Sequence, residues 1–215
     1  GGATSLNGLS DCKTFGTSSL LIGDATTGTI DAADKNTGVG IDVFAALTTG
    51  NNNVAVGFSA GTSLTTGGSN VLIGQVAGDA ITTASNNIAV GQTALGALVD
   101  DNGNVAIGDN AMQFSTDAQN NVAIGQDAGR RIVGTDNVAI GEGSMVTAGD
   151  KDFNTAVGKD SLALLTTGNY NVAIGTNSLD ACTTAENNVA VGWTSLGANT
   201  TGASNTAVGG DSMAA

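Results

Sequence analysis

Asn104-Val105-Ala106-Ile107-Gly108 recurs unchanged at 121–125, 137–141 and 171–175, and this pentapeptide decides the fold. Its Asn and Gly frame repeats along the chain at Asn53 and Gly57, Asn70 and Gly74, Asn87 and Gly91, and Asn104 and Gly108. It continues at Asn121 and Gly125, Asn137 and Gly141, Asn154 and Gly158, Asn171 and Gly175, Asn188 and Gly192, and Asn205 and Gly209. Two looser copies, Asn36 to Gly40 and Ser19 to Gly23, precede these and bring the number to twelve. Each step is seventeen residues except that from Asn121 to Asn137, which is sixteen. A fixed period of this size specifies a stack of like units rather than a globule around one cleft. It turns the functional expectation from catalysis towards a rod, a spacer or an extended binding surface.

With the Asn as position zero, position three is Val or Ile in every copy and position one is usually aliphatic. Ala separates them, so the segment reads as a short strand of period two. The expectation is that the larger β-branched face fills each rung and that the Ala face meets a neighbouring chain. The Gly at position four marks a corner, where φ is positive or a Cβ would collide. Position seven is small, position eight is mostly Gly, Leu or Met, and position eleven is often Leu or Ile, followed by Thr-Thr-Gly. A second inward segment and a polar turn are expected there. Stacked in register, the Asn amides should hydrogen-bond up the rod. Ser19 in the first copy marks a rung that begins the stack.

Seventeen residues are too few for a helical pair, and the Gly, Thr, Asn and β-branched content opposes helix. The fold class is therefore all-β, a parallel β-solenoid over residues 19–215 behind a connector at 1–18. Aromatics are 3% of the chain against 40% hydrophobic residues, which suits a thin core of small aliphatics. Cys12 and Cys182 lie about ten repeats apart, roughly 45–50 Å at one strand spacing per repeat. That excludes a disulfide between them. Cys182 falls in the column of Leu64, Ile81 and Leu165, a core position.

Nineteen acids against six bases leave a net charge of −13 with no basic stripe, so nucleic acid is not an expected partner. No run of about twenty apolar residues is present, and no membrane insertion is expected. The chain begins with Gly and shows no signal-peptide pattern, and it reads as a piece of something longer. With no His, there is no His-based triad or His metal site. Neither a P-loop nor the nonapeptide calcium pattern occurs, so no cofactor or metal is expected. The acids fall mostly in turns, where Asp100-Asp101-Asn102 is the best candidate for holding a cation. Phe153 and Tyr170 share position sixteen of consecutive copies and should stack, while Phe58 and Trp193 share position five. These four aromatics are the candidate glycan contacts.

The Asn-Val-Ala-Ile-Gly frame, followed three residues later by Ala or Ser, resembles the head repeat of trimeric autotransporter adhesins of the YadA-like type. The resemblance covers about nine-tenths of the chain, although that family's usual period is a few residues shorter. It implies a left-handed parallel β-roll, three of which pack side by side as a homotrimer. The longer period, with Leu-Thr-Thr-Gly between copies, is similar to repeats of bacteriophage tail fibres, and Leu9-Ser10-Asp11 resembles their short connectors. The resemblance implies a stiff trimeric rod in the virion. Its partners would be other tail proteins and a glycan or protein receptor on the host surface. A bacterial surface adhesin head, a glycan-cleaving tailspike and an ice-binding solenoid are the alternatives.

Overall fold

The computed structural model describes residues 12–15, 18–23, 32–147 and 149–214, and across them the repeat forms a parallel β-solenoid of about eleven turns without a helix. The first strands are β1 (Cys12–Phe15), β2 (Ser19–Ile22), β3 (Thr37–Val39), β4 (Val54–Val56), β5 (Val71–Ile73), β6 (Ile88–Val90) and β7 (Val105–Ile107). Then follow β8 (Ala118–Gln119), β9 (Val122–Ile124), β10 (Ile132–Thr135), β11 (Val138–Ile140) and β12 (Gly149–Asp150). The last are β13 (Thr155–Val157), β14 (Val172–Ile174), β15 (Val189–Val191) and β16 (Thr206–Val208). The pentapeptide strands make one thirteen-stranded sheet, parallel from β2 to β16, in which Val54 pairs with Val71 and Val71 with Ile88. Identical columns therefore lie above one another along the rod. At its N-terminal edge β1 pairs antiparallel with β2, covering an edge that would otherwise offer unpaired backbone groups. Leu9-Ser10-Asp11 lies outside the described residues.

The strand faces are the reverse of the sequence expectation. Ala at position two points inward and is fully buried, as at Ala89, Ala106, Ala123 and Ala173. The β-branched residues at positions one and three lie on the outer face, half-buried or exposed, with Ile107 38% and Ile174 41% accessible. The reason is the narrow interior. Across each turn the strand faces the buried side chains of position eight (Leu95, Met112, Leu162, Leu179) and position eleven (Leu47, Leu64, Ile81, Leu98, Leu165). With those in place, only a methyl group fits between them and the strand.

Exceptions to the Ala column show the same volume rule. Leu72 stands at position two of its turn, and its side-chain carbons lie 2.7 Å from where a Cβ would sit on Gly61 or Gly78, at position eight of the preceding turn and of its own. Phe44, fully buried at position eight, faces Gly38 at position two, where an added Cβ would lie 3.2 Å from its ring. Large and small residues thus exchange places across the core.

The corner glycines satisfy both conditions read from the sequence. Gly91 has φ +139°, and a Cβ on it would fall 2.2 Å from the carbonyl oxygen of Gly108 on the next turn. At the sixteen-residue step the second turn loses one residue. There the backbone straightens into β10, which pairs in parallel with β8 and β12 as a separate three-stranded sheet.

Candidate functional site

The Asn column is an uninterrupted hydrogen-bonded ladder. From Asn53 to Asn205 the backbone N–H of each Asn donates to the side-chain Oδ1 of the Asn one turn earlier, at 2.9–3.1 Å. In most turns the Nδ2 donates to that same oxygen and to a carbonyl fourteen residues ahead, as from Asn53 to Gly67 and from Asn70 to Ala84. From Asn36 to Asn188 the amides are buried and held within the ladder, so they are scaffold and not a ligand site. Ser19 holds the first place in the ladder, its hydroxyl accepting from the Asn36 N–H at 3.0 Å.

Outside the ladder, positions one and three lay two aliphatic columns along the outer face of the long sheet. Exposed members include Ile73, Ile107, Ile124 and Ile174. The strip runs roughly 50 Å if each turn rises by one strand spacing. Isolated soluble chains seldom leave so long an apolar surface open to water.

The four candidate aromatics fall in two places rather than one. Phe153 and Tyr170 stack as their spacing predicts, with ring centroids 5.2 Å apart and planes within 2°. Their backbones are left-handed, at φ +57° and +59°. Other turns put Asn52, Asn86, Asn120 and Asn187 at this corner, residues that tolerate the conformation. Two bulky rings held there, 47% and 56% exposed, are an unfavourable backbone choice in water. Phe58 and Trp193 lie just past the Gly corner at the other end of the strand and are exposed, eight turns apart. They share a column but make no common pocket.

A third aromatic position was not legible as a site. Phe114 projects at position ten, and the Arg130 and Arg131 guanidinium carbons lie 5.0 and 5.4 Å from its ring centre. Arg130 Nε donates to Gln113 Oε1 at 3.2 Å and approaches Asp127 at 3.5 Å, an ion pair too long for a hydrogen bond. Beside Phe114 is a cavity of about 180 Å³ lined by Asp79, Thr93, Gly96, Ala97 and Gln113. Burial raises the pKa of the Asp79 carboxyl, against the opposing effect of backbone N–H donors. The signal in the sequence was a gap: Gly96 interrupts a column that carries Asp79 and Gln113 on the flanking turns, and Ala97 beside it precedes Phe114 by one turn.

The remaining polar candidates are occupied by the turns. Asp101 Oδ2 accepts from the Ala118 N–H at 3.0 Å and Asn102 Oδ1 from the Ser85 N–H at 2.6 Å, which commits both to bonds between turns. Among the described residues no group of three potential metal ligands comes together. In the Thr-Thr pairs the first hydroxyl donates to the next turn's carbonyl, Thr48 to Thr65 and Thr65 to Thr82. Only the second, as in Thr49 and Thr66, faces water. Lys151 is wholly buried, its Nζ donating to the carbonyls of Thr147 and Leu165, and burial lowers its pKa to about 8. Cys182 is buried in its core column, which raises the thiol pKa.

No family model, no curated protein and no solved structure matches the chain. Among the described residues no helix is long and apolar enough to cross a membrane.

Proposed function

We propose that this chain is a structural and receptor-binding segment of a phage tail fibre, a stiff homotrimeric rod that attaches the particle to a host surface. The left-handed winding and the number of chains follow the resemblance to head repeats and tail fibres. The observation that carries the reading is the outward aliphatic strip of positions one and three. It recurs turn after turn, position three being aliphatic throughout and position one everywhere except at Thr37, Thr155 and Thr206, a pattern that suits a side-by-side partner of equal length. It also moves the proposed contact between chains from the Ala column, which the core takes, to the Val and Ile columns. The exposed aromatics lie at the ends of the strand, on either side of that strip, in positions to reach a surface. Repeated on three chains, weak contacts of this kind add up by avidity.

A bacterial adhesin head would share each of these features. A glycan-cleaving role draws no support from the Phe114 cavity, where Asp79 is the one carboxylate and glycoside hydrolysis generally needs two. Sedimentation equilibrium tests the rod: three times the chain mass is expected, and Ile107→Glu with Ile124→Glu should release single chains. A stable monomer for the unaltered chain would sink the trimer. Competition with intact particles for adsorption to bacterial cells tests attachment.

A further inference from the structure

We propose that the notch beside Phe114 binds one neutral pyranose unit of a glycan. Position nine runs Asp79, Gly96, Gln113, Arg130 on four successive turns, and position ten runs Ala80, Ala97, Phe114, Arg131. The Gly96-Ala97 turn contributes almost no side chain, so the space above it stays open between Asp79 on one wall and Gln113 with Phe114 on the other. Those walls are two strand spacings apart, roughly 9.6 Å between backbones. Both arginines come from the turn beyond Phe114 and cover its ring from that side, while the ring also lines the cavity on the Gly96 side. Gln113 is held by Arg130 Nε, which fixes that wall.

A pyranose presents an apolar C–H face and a rim of hydroxyls. The notch offers a ring for the first, and for the second a carboxylate and a side-chain amide at the edges. Charge selects among sugars. Asp79 stands inside the notch and the chain carries −13 overall, so a uronate or sialate is repelled. The guanidiniums stand behind the ring, with Arg130 paired to Asp127. The inference rests on the attachment reading for its biological use, but the site is testable on the purified chain whatever that use is.

Saturation-transfer NMR on the full chain with methyl hexopyranosides, and with methyl glucuronide as the charged comparison, provides the test. A neutral pyranoside should bind, and Gly96→Gln should weaken it at least tenfold. That variant puts into the gap the side chain that position nine carries one turn later, at a glycine whose φ is not in the left-handed region. Phe114→Ala, on an exposed corner, should weaken binding as much with an unchanged melting temperature, and Leu164→Ala, at the exposed position ten three turns further on, should leave binding intact. The proposal is overturned if no neutral pyranoside binds, if the glucuronide is preferred, or if neither notch variant has an effect. Trimer mass and adsorption to cells are separate readouts, so either reading can fail while the other stands.

Discussion

Between Asn53 and Asn70 the interior is closed by Leu64 at position eleven, and Gly67 at position fourteen lets the corner pass. Between Asn137 and Asn154 the sequence has Ala148 at position eleven, and position fourteen is Lys151, fully buried with its ammonium on two carbonyls. The ladder does not register the difference. Asn53 Nδ2 donates to the Gly67 carbonyl at 3.0 Å and Asn137 Nδ2 to the Lys151 carbonyl at 2.6 Å. The fold thus requires a filled interior and a satisfied corner, and accepts an apolar or a charged side chain to provide them.

If the ladder and corner are common to both turns, glycine substitutions should not distinguish them. Gly57→Ala and Gly141→Ala, with Cβ atoms 2.4 and 2.5 Å from the next carbonyl oxygen, should each cost roughly 4 kcal/mol in urea unfolding. A tolerated Gly141→Ala would show the irregular turn to be loose and break the comparison. Leu64→Ala and Lys151→Ala should each cost about 3 kcal/mol at neutral pH, the first through a cavity and the second through a cavity with two orphaned carbonyls.

Raising the pH separates those two. Unfolded, Lys151 keeps its proton to its ordinary value of 10.5, and folded it releases it above about 8. In that window the unfolded chain binds more protons, so stability rises with pH. The gap between the unaltered chain and Lys151→Ala should widen by at most about 3 kcal/mol, less because the carbonyls favour the ammonium. The gap for Leu64→Ala should stay flat. Thermal melts across pH 7–10.5 check this, and parallel curves would mean that Lys151 reaches water. The smallest effect belongs to the aromatic corner. Tyr170→Asn loses a stack and relieves a left-handed backbone, so melting should show a net change within roughly 0.5 kcal/mol.

The period, the ladder, the corner glycines, the Phe153–Tyr170 stack and the core place of Cys182 were all legible in the sequence. Each follows from spacing alone, because equal steps put equal columns in contact. Which strand face turns inward was not. Alternation of Ala with Val or Ile is symmetric until one knows the room left across the turn, and Leu95 or Met112 at position eight decides that. Lys151 was hidden by its charge, which suggests a surface. The Phe114 notch was hidden because it is made by what Gly96 lacks.

The exchange of Leu72 with Gly61 and Gly78, and of Phe44 with Gly38, bears on how a chain of near-identical copies finds its order. A copy that skipped its neighbour and stacked on the next would meet the same Asn, the same Gly and the same strand. Its core would not match: with the Asn53 turn skipped, Leu72 would meet the Phe44 ring at position eight in place of Gly61. These mismatched pairs work as addresses, penalising misthreaded stacks that the repeat itself cannot tell from the native one.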